Sequence, residues 1–493
     1  MRLRKWNNFG RIETFDEDIM RFSVKVITLI TIAALLAGMV SPSRLLALTY
    51  SKEEEFGREF AKYVETHMEV IQDQYIAGYV ESIGQRVLSY FPPQKLKFRF
   101  RVIKSDVYNA FAGPGGHIFI HSGLLAAMES EDELAGILGH EIAHVTSRHI
   151  SQKLARQKKI SFVTMAGVVA GLLLGAGGSG AAAQALTYGS LAAGQSVALA
   201  YSRENELEAD EKGLQYITAA GYDGYGLLDI LKKIRSREWF GKKQIPTYLK
   251  THPATEDRIL YIDTWMSSRR GGLRKTQPGN PRGFAMAHTR ILALYTDRQL
   301  ALKTLKHHVE KKPSLAITHY GYGLVLARSG KYAQAIRELE EAARIRPFDP
   351  YMQGDLGRAY FLGGRYEEAK QRLEATVTTF PEFADGLFFL GRTYQQLGMY
   401  PEAAHYLEEV YDLAPRYPRL CYFLGNAYGK LGRLGEAHYY LAIYYMQKGE
   451  METAGFHLER AKEAETDPVN KDRIDDLIGK LKSSKPGKKK SKK

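Results

Sequence analysis

Leu138-Gly139-His140-Glu141-Ile142-Ala143-His144-Val145 decides how the N-terminal half of this chain is read. Two histidines four residues apart on a helix project from one face, so both imidazoles can grip one ion. Glu141 is rotated by roughly 100° from His140. It can therefore reach a water beside that ion without being a ligand. This is the H-E-x-x-H signature. The flanking Leu138, Ile142, Ala143 and Val145 are apolar, which predicts a buried helix rather than a chance His-Glu-His on a surface. Ser130 with Glu133 three residues later makes a capping box. The helix is expected to open at Ser130 and run to about Leu154.

A third ligand is needed. A further histidine six residues beyond His144 would require glycine at 147 and histidine at 150, but Ser147 and Ile150 stand there. His149 falls on the opposite side of the helix and reads as structural. The other source is the acidic run Ser202-Arg203-Glu204-Asn205-Glu206-Leu207-Glu208-Ala209-Asp210. Glu206 and Asp210 are i and i+4 and share a face. Glu206 is the candidate third ligand, with Asp210 holding a ligand histidine by its other ring nitrogen. The bland alternative is a solvated acidic helix.

Taken together, these residues resemble the gluzincin zinc metallopeptidases of the CAAX prenyl protease, HtpX and Oma type. Asn109-Ala110-Phe111-Ala112-Gly113-Pro114-Gly115-Gly116, followed by Gly123-Leu124-Leu125, is similar to that family's stretch before the zinc helix. The resemblance implies an edge strand at Asn109, Ala110 and Phe111 that pairs with substrate backbone. Thr251-His252-Pro253 with Arg258 resembles the family's late His-Pro element. It implies that His252 and Arg258 lie over the zinc as catalytic groups stabilising an oxyanion, and that His252 can occupy the open metal position and hold the enzyme inactive. The resemblance covers about residues 50–265. It implies one Zn2+ per chain on His140, His144 and Glu206, with Glu141 as general base.

The C-terminal half repeats with a period of 34: Gly323, Gly357, Gly391 and Gly425; Gly330, Gly364, Gly398 and Gly432; Ala335, Ala369, Ala403 and Ala437. Pro347, Pro381 and Pro415 close three units. Small residues at fixed places let paired helices pack closely, and the registers match tetratricopeptide repeats. The fold expected is therefore an α+β, mainly helical zincin-like domain followed by an all-α solenoid. The boundaries expected are 1–47 signal or N-terminal anchor, 48–268 metallopeptidase, 269–283 linker, 284–466 repeats and 467–493 basic tail. Leu96 to Ile103 alternates as a strand, Val107 to His121 reads as a strand pair, and Ser51 to about Tyr90 as helix.

Charge and targeting bound the setting. The net charge is +14, and seven of the last twelve residues are lysine, without the interleaved aromatics of a nucleic-acid module. A weak anchor on anionic lipid is the functional reading of that tail, and a solvated end the bland one. Val26 to Val40 is an uncharged run after Arg21 and Lys25, followed by Ser41-Pro42-Ser43, the pattern of a secretory signal. The acidic Glu13, Asp16, Glu17 and Asp18 before it suit a translation start at Met20 better. The stretch 160–178 is apolar and Gly/Ala-rich, and is expected to form a helical hairpin near the site or a shallow membrane re-entry. One cysteine, Cys421, excludes a disulfide framework.

Export plus repeats narrows the resemblance to the BepA-like periplasmic branch. The chain is thus expected to be an exported zinc endopeptidase acting on misfolded or unassembled envelope proteins. Its repeats would engage polypeptide substrates or the outer-membrane assembly machinery, with membrane association left open and no nucleic acid. The rival is a chaperone or assembly adaptor with a dormant zinc site. Glu141 speaks against it, since a purely structural site has no use for a general base.

Overall fold

A computed structural model of the chain describes residues 48–156, 201–239, 247–253, 255–269, 280–465 and 467–483. The expectations for the signal and Met20 start, the 160–178 hairpin and the lysines beyond 483 lie outside the described residues. Among the described residues, no helix is long and apolar enough to cross a membrane.

Helices α1 (Tyr50–His67) and α2 (Gln74–Leu88) replace the continuous helix expected over 51–90. Asp73 accepts from the Ile76 amide and caps α2, while Val70 in the break bridges to Ile103. Strands β1 (Arg99–Ile103), β2 (Ala110–Ala112) and β3 (His117–His121) form one sheet in the order β1-β3-β2. β1 and β3 are parallel, and β2 turns back antiparallel to β3 through Pro114–Gly116. β2 is consequently an edge strand.

The sheet divides its side chains by pleat. Ala110, Ala112, Ile118 and Ile120 face the main core; Phe111 and Phe119 face α1 with Phe60, Val64 and Ile103. After the short α3 (Ser122–Ala127), α4 (Glu131–Thr146) carries the histidines. Ser130 Oγ accepts from the Glu133 amide at 3.2 Å, and the Glu133 carboxylate accepts from Glu129 N at 3.0 Å. Almost every α4 side chain is buried, as its apolar flanks predict.

α4 does not reach Leu154. It ends at Thr146, Arg148 takes a left-handed φ of 58°, and α5 (His149–Arg156) starts afresh. α6 (Arg203–Ala219) packs along α4, followed by α7 (Tyr225–Trp239), α8 (Thr247–Thr251) and α9 (Thr255–Arg269). The α4–α6 approach is close: a Cβ on Gly139 would lie 2.4 Å from the Ile217 side chain, and one on Gly213 would lie 3.2 Å from His140 N. Glycine at both places lets α6 bring its acidic face against the histidines.

From α10 (Pro281–Tyr295) onward the chain is a stack of helix pairs: α11 (Arg298–Lys311), α12 (Ala316–Arg328), α13 (Tyr332–Ile345), α14 (Pro350–Leu362), α15 (Tyr366–Thr379), α16 (Ala384–Gln396), α17 (Tyr400–Leu413), α18 (Leu420–Lys430), α19 (Leu434–Gln447), α20 (Met451–Ala464) and α21 (Pro468–Ser483). Both glycine registers have their reasons. Gly330, Gly364, Gly398 and Gly432 adopt φ of 73–76° after the first helix of each pair, where L side chains are strained. Gly323, Gly357, Gly391 and Gly425 lie against Leu339, Leu373, Leu407 and Leu441 of the second helix, 2.6–2.7 Å from where a Cβ would sit.

The two halves share α10. Phe284, Ala287 and Ile291 enter the N-terminal core, while Met286 and Ala293 enter the solenoid core. Beside them Arg290, buried, bridges Asp73 of the first half, at 2.5 Å, and Asp355 of α14.

Candidate metal centre

α4 supplies His140, Glu141 and His144, α6 supplies Glu206 and Asp210, the end of α8 supplies His252 and α9 supplies Arg258. All seven are buried. His140 Nε2 and His144 Nε2 lie 3.0 Å apart, and each is 3.5 Å from a Glu206 carboxylate oxygen. His252 Nδ1 is 3.0 Å from Glu206 Oε1 and 3.3 Å from His140 Nε2. One donor atom from each of these four residues falls within 4.8 Å of the others. Of the glutamates in the run 204–208, only Glu206 reaches His140 and His144; Glu204 is exposed and Glu208 contacts His149 instead.

The far sides of the rings fix which nitrogens face the cluster. His140 Nδ1 lies 2.8 Å from Asp210 Oδ1. A carboxylate only accepts, so Nδ1 carries the proton and Nε2 offers its lone pair. His144 Nδ1 lies 2.9 Å from His149 Nδ1, and His149 Nε2 lies 3.2 Å from Glu208 Oε2. Glu208 is held down at about 2: burial raises it, but hydrogen bonds from Lys212, Ser147 and His149 outweigh that. His149 therefore donates through Nε2 and accepts at Nδ1, so His144 donates through Nδ1 and its Nε2 is also free for an ion.

His149 thus does for His144 what Asp210 does for His140. A continuous helix would have carried it to the opposite side; the break at Ser147-Arg148 returns it beneath the site. No glycine or proline signals that break. Tyr201 stacks on His144 at 3.8 Å between centroids and Tyr248 on His252 at 4.4 Å, two further contacts with no sequence signature.

Arg258 reaches the cluster from α9, with one Nη 3.3–3.4 Å from the His140 ring nitrogens. Its Nε and one Nη donate to the Asp210 carboxylate at 2.7 and 2.8 Å, and its other Nη lies 2.7 Å from Glu206 Oε2. The guanidinium thus pairs with both carboxylates and holds them in place. Burial would lower its pKa, but Asp210 and Glu206 push it well up. Glu206 in turn is held well below the carboxylate range: burial raises it, but the charges of His252 and Arg258 prevail. His140 is pushed up to about 9, burial and Arg258 lowering it but Asp210 and Glu206 outweighing both.

Glu141 stands apart. Neither of its carboxylate oxygens has a hydrogen-bond partner, and Oε1 is 3.6 Å from His252 Nε2, itself without one. Burial raises its pKa against the opposing charges of His252 and His140. Beside it, the buried Glu206 carboxylate and the inward-facing nitrogen lone pairs of His140 and His144 are a donor set that a divalent cation satisfies. β2 packs against α4 beside it. The side chain of Phe111 points away, into the Phe60–Phe119 cluster, so any role of this strand in binding lies in its backbone.

Comparison with known proteins agrees with this geometry. Residues 75–266 match peptidase family M48, and residues 297–350, 326–386 and 384–417 match tetratricopeptide repeats. The chain is 27% identical over 64% of its length to the beta-barrel assembly-enhancing protease of Escherichia coli, of which the match covers 62%. It is 31% identical over 61% of its length to a putative beta-barrel assembly-enhancing protease of Vibrio cholerae, again covering 62% of that protein. With the mitochondrial metalloendopeptidase OMA1 of Schizosaccharomyces pombe it shares 31% identity over 38% of this chain and 52% of the other. The chain thus spans less than two thirds of the length of these relatives. Residues 75–266 are a peptidase family M48 domain, and tetratricopeptide repeats follow it in the same chain.

Proposed function

We propose that the chain is an exported zinc-dependent endopeptidase that cleaves misfolded or unassembled envelope polypeptides and uses its repeats to engage them or their assembly machinery. The observation that carries the reading is Glu141, a buried carboxylate without a hydrogen-bond partner beside His140, His144 and Glu206. The pattern of residues 1–47 supports export, and the names of the bacterial relatives support an envelope setting.

In this reading His140 Nε2, His144 Nε2 and Glu206 hold the ion. The ion, when bound, supplies Lewis acidity that acidifies water and polarises a peptide carbonyl. Glu141 accepts the proton from the attacking water and later delivers it to the leaving amine, a task suited to a carboxylate whose basicity burial has raised. Asp210 and His149 keep the ligand tautomers, and Arg258 fixes Glu206 and Asp210. β2 offers its open edge, so an extended substrate adds as a strand through backbone hydrogen bonds. His252, inside the donor set, would be a fourth ligand to the ion, and in that position it would keep the attacking water out and hold the enzyme inactive.

Cleavage of casein by wild type and Glu141→Gln, with metal content measured on both, tests the reading. Activity in wild type alone, with about one zinc per chain in each, is expected. Zinc in both but activity in neither would favour the adaptor. If His252→Ala abolishes cleavage and never raises it, the gating role is lost.

A further inference from the structure

The repeats carry a charge reversal that the period of 34 exposes. Arg358 of α14 pairs with Asp385 of α16 at 3.5 Å, and Asp385 also accepts from the Tyr417 hydroxyl. One repeat on, the position of Arg358 is Arg392, but the position of Asp385 is Arg419. Where the preceding repeat has an ion pair, this one has two cations.

Both guanidinium groups lie against one ring: Arg392 is 3.5 Å and Arg419 5.3 Å from the Phe423 centroid. Arg392 also lies 5.3 Å from Phe361, and Arg419 5.6 Å from Tyr422. Among the described residues neither arginine forms an ion pair, and Arg392 Nε is buried without a hydrogen-bond partner. Arg419 reaches its place from a left-handed backbone, φ 61°, at the start of α18. The residues come from α14, α16 and α18, the first helices of successive repeats, which lie side by side. Arg392 is half-buried and Arg419 exposed, so the cluster opens to solvent.

Two neighbouring cations on an aromatic floor are stabilised by the ring faces but leave a buried donor without an acceptor, which is costly. A carboxylate answers both, because the planar fork of arginine matches it with two hydrogen bonds. The aromatic floor selects an apolar or aromatic side chain beside that carboxylate. We infer that Arg392 and Arg419, with Phe361, Tyr422 and Phe423, form a docking site for an acidic, aromatic-bearing segment of a polypeptide partner. The site lies on the first helices of successive repeats, separate from the metal centre.

The test is fluorescence anisotropy with a short fluorescein-labelled peptide that pairs Asp with Phe, and with its Asn counterpart. It uses the full chain carrying Glu141→Gln, so that binding is read without cleavage and stands or falls apart from the peptidase reading. The acidic peptide is expected to bind in a salt-sensitive manner, and the Asn peptide at least about tenfold more weakly, as loss of a charged hydrogen bond requires. Arg392→Gln and Arg419→Asp should each weaken binding by about tenfold or more. Arg419→Asp restores the carboxylate seen at Asp385, so it should keep or raise the melting temperature while losing the peptide, which separates loss of the site from loss of the fold. Equal binding of the two peptides, undiminished binding by Arg419→Asp, or no binding would overturn the proposal. Self-association of the free protein that Arg419→Asp abolishes would also overturn it, giving the site to a second copy of the chain.

Discussion

His140 and Asp210 meet at 2.8 Å between Nδ1 and Oδ1, although 70 residues separate them, and that contact fixes which nitrogen of His140 faces the metal centre. Asp210→Asn keeps the shape but loses the charge and can turn an amide N–H toward Nδ1. Zinc affinity, measured by competition with a chelating dye, should fall roughly 10–100-fold, the usual effect of losing such a partner. An unchanged affinity would show that the contact does not tune the ligand.

His149 and Glu208 form the equivalent support for His144. His149→Phe should weaken zinc binding in the same range, and Glu208→Gln by less, because it acts one residue further out and is partly exposed. If His149→Phe binds zinc as wild type does, the reading of the Ser147-Arg148 break as functional fails.

His121 gives a pH signature away from the metal centre. Burial lowers its pKa to about 4, and both ring nitrogens lack partners. The folded value lies below the unfolded one near 6.5, so the unfolded chain takes up a proton first as the pH falls. Stability is therefore full above pH ~6.5 and declines toward pH ~4, by at most about 3 kcal/mol for this group. His121→Gln should flatten urea-denaturation stability between those limits relative to wild type; parallel curves would refute the assignment.

Arg290 ties the repeats to the helix that braces α4. It is 4% exposed as a side chain, with Asp73 and Asp355 equally enclosed. Arg290→Ala strands two buried carboxylates and should destabilise the chain by about 3–5 kcal/mol, the range for breaking a buried pair. Asp73→Asn together with Asp355→Asn in that background should recover part of the loss. A cost under about 1 kcal/mol, the scale of a surface pair, would remove this contact as the latch between the halves.

Some of this molecule was legible in its residues alone. His140, Glu141 and His144 needed only the geometry of one helical turn, and their apolar neighbours predicted the burial observed. The period of 34 revealed the helix pairs because each repeat solves the same packing problem with the same small residues. The pairing of Glu206 with Asp210 was read as an i, i+4 face, and the close approach at Gly139 and Gly213 is what sets that face of α6 against α4.

The sequence by itself determined the elements whose cause is local: the helix carrying His140 and His144, the strand pair around Pro114–Gly116 and the repeats. Only the tertiary structure decided the break that returns His149 beneath His144, the pairing of Arg258 with two carboxylates, the stacking of Tyr201 on His144, and the bridge of Arg290 between the halves. Each of these joins residues far apart in the chain or overrides a locally uninterrupted pattern. No periodicity records such contacts, because their energy comes from satisfying charges and polar groups that packing has already removed from water.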